Sequence, residues 1–153
     1  MSISVIQLTL NQVALIKGAS EAAYPKEACG LIAGRLVSEG VLSVTRIVRS
    51  NNILAATTDD RFEIDPSDRI ELEKMIRGTL ETLIAHYHSH PDKDAVPSSI
   101  DLMNTHAPFS SCMFRIGLQK KKMKRLSSFL LHNFFSRAKL RGLSRVIFSQ
   151  KMR

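Results

Sequence analysis

Tryptophan is absent, tyrosine occurs only twice, and not one aspartate or glutamate lies between Phe109 and Arg153. Two cysteines, Cys29 and Cys112, are too few for a disulfide framework, so a reducing, cytoplasmic location is the expectation. No apolar run approaches the length that spans a bilayer. The N-terminus lacks a basic stretch followed by an uninterrupted apolar one, so no secretory signal is expected. What remains is ordinary globular composition: 153 residues, 44% apolar and 24% charged. That length suits one domain with a hydrophobic core and is short for two.

The missing acids matter more than the formal net charge of +8. All 14 acidic residues lie at or before Asp101, and 12 of the 22 basic ones follow Phe109. The first 108 residues hold 10 basic against 14 acidic residues, a net of −4, and the remainder carries +12. A slightly acidic domain over residues 1–108 is followed by a basic tail over residues 109–153. The high isoelectric point describes the tail.

Ser2 to Thr9 alternates loosely, with Ile3, Val5 and Ile6 apolar, and reads as a first strand. Asn11 to Ala23 reads as a helix, with Val13, Leu15, Ile16 and Ala19 at helical spacing and Pro25 beyond its end. The apolar run from Ala28 to Gly34 and the run from Val41 to Val48 flank a Ser38-Glu39-Gly40 turn, which predicts a hairpin. Asn51 to Arg61 is polar and loop-like. Asp65-Pro66 opens a second helix, because aspartate caps well and proline fits the first turn. Ile70, Met75 and Ile76 are expected on its buried side, with Gly78 as its stop. Thr82 to His88 has the character of a core strand, Pro91 to Pro97 is a loop, and Ser98 begins another helix. The alternation predicts an α/β (α+β) domain, a mixed sheet flanked by helices. After Pro108, Leu126, Phe129, Leu130 and Phe134 fall at helical spacing, while Cys112 to Leu118 and Arg145 to Phe148 are weak strand candidates.

The chemistry gathers between His88 and Asp101. Histidines at i and i+2 on a strand share a face, so His88 and His90 can reach one ion. Asp101 follows after ten residues, on the first turn of the helix that Ser98 begins. Two nitrogens and one oxygen leave a fourth tetrahedral position for water, the arrangement of a catalytic zinc. Each piece has a plainer reading. His86 extends the alternation and leaves the register open. Ser98-x-x-Asp101 also matches a helix capping box. Glu27, at a strand entrance, reads by itself as an exposed charge. Cys29 sits in an apolar strand with no basic neighbour and reads as a buried structural thiol rather than a nucleophile.

His88-x-His90, ten residues and Asp101, with Pro91, Pro97 and Ser98 in place, resembles the complete signature of the JAMM/MPN+ zinc metallopeptidases. Glu27-Ala28-Cys29-Gly30-Leu31-Ile32 matches an upstream segment of that family, and Phe62-Glu63-Ile64-Asp65-Pro66 resembles another. The likeness covers roughly the first 105 residues. It selects His88 and His90 over His86, and it implies a cytidine-deaminase-like sheet. It implies that His88, His90 and Asp101 bind one zinc, which lowers the pKa of a water. Glu27 would then serve as general base and acid, and Ser98 as hydrogen-bond donor to the oxyanion. The implied reaction is hydrolysis of an amide or isopeptide bond after the C-terminal glycine of a ubiquitin-like protein. The short chain resembles the compact bacterial forms that act on sulfur-carrier proteins.

From Pro108 the chain departs from that pattern. Its composition resembles translation in a shifted reading frame, and the family's last strands are expected to be missing or replaced. Two other readings compete. The tail could bind nucleic acid or an anionic membrane through its Lys and Arg residues. Alternatively, the domain could be an inactive interaction module that keeps the motif.

Overall fold

The computed structural model describes residues 5–93 and the backbone of three later strands, residues 113–118, 128–132 and 145–149. Strand β1, Val5–Thr9, buries Ile6 and Leu8 on one face, as its alternation requires. Thr9 ends the strand and caps helix α1, Leu10–Ala23. Its hydroxyl accepts from the Gln12 N–H at 3.2 Å, and the Gln12 side chain accepts from the Thr9 N–H at 2.8 Å. This reciprocal pair satisfies two otherwise orphaned donors. Gln12 Nε2 also donates to the Val44 carbonyl at 2.9 Å, which ties the helix start to the sheet.

The predicted hairpin is present as β2, Cys29–Ser38, and β3, Val41–Ser50. Its turn holds Gly40 at φ 72°, a conformation glycine adopts without steric cost. Asp65 caps helix α2, Pro66–Ile76, by accepting the Ser67 N–H at 2.9 Å. Gly78, at φ 77°, lets the chain leave the helix. Strand β4, Thr82–Pro91, then runs through the centre of the fold. The backbone of β5 (Met113–Leu118), β6 (Ser128–His132) and β7 (Arg145–Ser149) completes the described elements.

The strands form one mixed sheet in the order β6-β5-β4-β2-β3-β1-β7. Pairing is antiparallel between β2 and β3, β2 and β4, and β5 and β6, and parallel elsewhere. Two expectations are corrected. The helical spacing around Phe129 and Leu130 falls on strand β6. A short apolar run fits either period, and pairing with β5 decides it. On α2 the buried residues are Leu72 and Ile76, one turn apart, while Ile70 and Met75 are exposed. Ile70 lies about 200° round the helix from Leu72, on the water side.

The helices cover opposite faces. Ile16 and Val13 of α1 pack with Ile6, Leu8, Ile32, Ile84, Ala85 and Tyr87. Leu72 and Ile76 of α2 pack with Leu31, Ala33, Leu83, Val48 and Ile64. The sheet leaves no room for a side chain where Gly30 of β2 faces Tyr87 of β4. A Cβ on Gly30 would lie 2.3 Å from the Val48 carbonyl oxygen and 2.4 Å from the Tyr87 ring. No described helix is long and apolar enough to cross a membrane.

Candidate functional site

The alternation of β4 decides which side chains meet. Tyr87 and Ser89 turn toward α1, whereas His86, His88 and His90 fall on the α2 face. Along that face the packing changes from apolar residues (Leu83, Ala33, Leu31) to histidines at the C-terminal end of β4. His88 is fully buried and His90 is 5% exposed. Their Nε2 atoms approach to 2.8 Å. At that separation one ring donates a proton and the other accepts it. The Phe62 ring lies nearly parallel to His88, with centroids 4.3 Å apart and planes at 17°. It is farther from His86, at 6.1 Å.

Glu27 precedes the end of β2 that pairs with the histidine strand. Cys29 pairs with His88, and the Ser89 N–H donates to the Ala28 carbonyl at 2.9 Å, so the contact between the two segments continues to the residue after Glu27. The Ala28 N–H in turn donates to Ser89 Oγ at 2.9 Å. The two strands are therefore locked together between the glutamate and the histidines. Glu27 is only 5% exposed, unlike the exposed charge that its sequence position suggests. A buried carboxyl needs polar partners, and such groups concentrate at working sites.

Cys29 shares the histidine face. Burial, reinforced by the charges of Asp68 and Glu27, pushes its thiol up to about 12. It is therefore a protonated structural thiol at neutral pH, as its apolar surroundings predict. On the other face Tyr87 is fully buried, and its hydroxyl has no hydrogen-bond partner among the described residues. Burial and the nearby Cys29 push its phenol up to about 12, against the opposing charge of Arg49.

The rim is polar. Tyr24 donates to Asp92 at 2.7 Å, Lys93 lies 3.8 Å from Asp60, and Lys26 pairs with Asp59. A cavity of about 210 Å³ is lined by Glu27 together with Ala19, Ala23, Ala28, Arg49 and Asn52.

Of the five residues singled out from sequence, His88 and His90 meet on β4, and Glu27 is buried two residues before β2. Ser98 and Asp101 lie outside the described residues. Among the described residues no three His, Cys, Asp or Glu side chains stand close enough to hold a metal. The donor chemistry nevertheless suits zinc. Two imidazole nitrogens lie 2.8 Å apart in buried surroundings, a donor pair of the kind zinc takes. Sequence reasoning missed Asn52 and Ser89, whose roles appear only through contacts between segments distant in the chain.

The family model for prokaryotic homologs of the JAB domain matches residues 12–130. A desampylase of Haloferax volcanii is 32% identical over 77 residues, spanning 50% of this chain and 52% of that protein. The chain thus spans about half the length of that curated relative. A protein of Desulfitobacterium hafniense has a solution structure with TM-score 0.63 at 26% identity, covering 78% of each chain. A JAB1/MPN domain protein from Archaeoglobus fulgidus has TM-score 0.52 at 15% identity, covering 95% of this chain and 98% of that one. That last likeness is one of fold.

Proposed function

The chain belongs to the family of prokaryotic homologs of the JAB domain, and from that premise we propose that it is a zinc-dependent metallopeptidase. Its reaction is hydrolysis of an amide or isopeptide bond after the C-terminal glycine of a ubiquitin-like, sulfur-carrier-type protein. The family includes JAMM metalloproteases, whose members bind zinc. The observation that carries the reading is the buried convergence of the His88 and His90 rings, 2.8 Å apart at Nε2. The similarity to an enzyme named desampylase supports a deconjugating reaction.

In this reading His88, His90 and Asp101 hold the metal, one per chain. Bound zinc lowers the pKa of water and polarises a carbonyl. Glu27, a buried carboxyl, takes the proton of the attacking water and hands it to the leaving nitrogen. Ser98 donates a hydrogen bond to the carbonyl oxygen as charge develops there. Glycine at the scissile position suits a closed site, because only glycine lets two backbones approach so closely.

The test is cleavage of a fusion joined through a glycine-ended ubiquitin-like tail. Glu27→Gln keeps the shape of the side chain and removes its basicity. It is expected to lower turnover by about 10²- to 10⁴-fold while leaving bound zinc in place. Unchanged turnover in Glu27→Gln would remove that residue from the reaction.

A further inference from the structure

Residues 51–65 fold back between β3 and α2 as a closed loop. Asn52 bridges Ile64, the Ile53 N–H donates to the Glu63 carbonyl at 3.1 Å, and the Asp65 N–H donates to the Asn51 carbonyl at 3.3 Å. The Asn52 amide sits at the neck with all its hydrogen-bonding capacity used. Its Nδ2 donates to the carbonyls of Glu27 and Arg61, each at 2.9 Å. Its Oδ1 accepts the N–H groups of Leu54 and Glu63, each at 3.1 Å. All four partners are backbone groups of fixed polarity, so the orientation of the amide follows from them. Reversing it would set donors against donors and acceptors against acceptors.

Two of those partners, Arg61 and Glu63, flank Phe62 in sequence. A third is the carbonyl of Glu27. We infer that Asn52 is a positioning residue that couples the two halves of the site, holding the backbone at Glu27 and pinning the Phe62 ring flat on His88. The imidazole then stacks on a ring whose two neighbouring peptides are tied, through Asn52, to the Glu27 carbonyl. Site geometry depends on such support, because a side chain without it samples several orientations. The functional meaning of the clamp rests on the roles proposed for Glu27 and His88, but its existence does not.

Three variants of the full chain test it. Asn52→Asp keeps both acceptor contacts, loses both donations and sets a charge against two carbonyl oxygens. Asn52→Ala removes all four bonds. Phe62→Leu removes the stacked ring alone. In metal-free protein, NMR of the histidine rings reads the ring-current effect of Phe62 on His88. Both Asn52 variants are expected to move the His88 ring signals toward their positions in Phe62→Leu. Zinc affinity, measured by competition with a chelator, is expected to fall by about 10- to 100-fold. Gln12→Ala breaks the cap of α1 far from the site, and it is expected to lower the melting temperature without moving either readout. If Asn52→Ala does not fold, Asn52→Asp carries the test. Unchanged His88 signals in folded Asn52→Asp would overturn the inference. Signals that move as described in a chain that binds no zinc would uphold the clamp and refute the metallopeptidase reading.

Discussion

Between the two histidines, the hydroxyl of Ser89 accepts the buried Ala28 N–H. Ser89→Ala leaves that donor unpaired and is expected to cost about 1–3 kcal/mol, read from denaturant unfolding. A change within a few tenths of a kcal/mol would mean that another acceptor takes over. Cys29 makes a second prediction, with its sign set by burial. Burial pushes its folded thiol up to about 12 from an ordinary value of 9.0. The unfolded chain therefore releases this proton first. The contribution is fully present below about pH 9 and is lost as pH rises toward 12. Cys29→Ala should flatten the loss of stability over that window. In a Cys112→Ser background, alkylation of Cys29 should await unfolding, and rapid labelling of the native protein would contradict its burial. At this scale the histidine pair and the thiol were legible, because alternation and apolar context are local properties. The burial of Glu27 and the clamp at Asn52 were not, because both depend on segments that meet only after folding.

The hairpin and the start of α2 were legible because their signals are short: Gly40 marks the turn and Asp65-Pro66 marks α2. Helix α1 was legible from its apolar spacing, one residue short at its start, while its Thr9-x-x-Gln12 cap went unread. The buried face of α2 was misassigned because its stripe is narrow. Leu72 and Ile76 suffice to meet β2 and β4, which leaves Ile70 in water. Gly30 is the element-scale test, since a Cβ there would meet both the β3 backbone and the Tyr87 ring of β4. Gly30→Ala drives a methyl group into the Val48 carbonyl and the Tyr87 ring. It is expected to cost about 1–3 kcal/mol or more, because overpacking strains both strands. Gly78→Ala meets no atom within 4 Å but sits at φ 77°, so its cost is that of the backbone alone. Gly30→Ala should therefore be the more damaging of the two in thermal melts. The reverse order would show that the sheet opens to admit the methyl group.

Across the whole molecule, sequence placed a boundary at Pro108, yet the sheet takes strands from beyond it and the family match continues to residue 130. Sequence pattern is weak there because edge strands are defined by their partners, and a run of cations hides alternation. We propose that residues 109–153 are compositionally foreign to the domain, even though β5 lies along the histidine strand from His86 to Pro91. Ending the chain at Pro108 exposes β4 as an unpaired edge, and the shortened protein is expected to be insoluble or to melt earlier. A soluble 1–108 fragment with unchanged melting would show that the domain closes before the basic segment. The central claim, a zinc site on β4, has a direct measurement: zinc stoichiometry of the purified full chain beside His88→Ala and Asp101→Ala. The account predicts one zinc per chain, lost or sharply weakened in both variants. A folded chain that takes up no zinc, or variants that hold it as tightly as the parent, would contradict it.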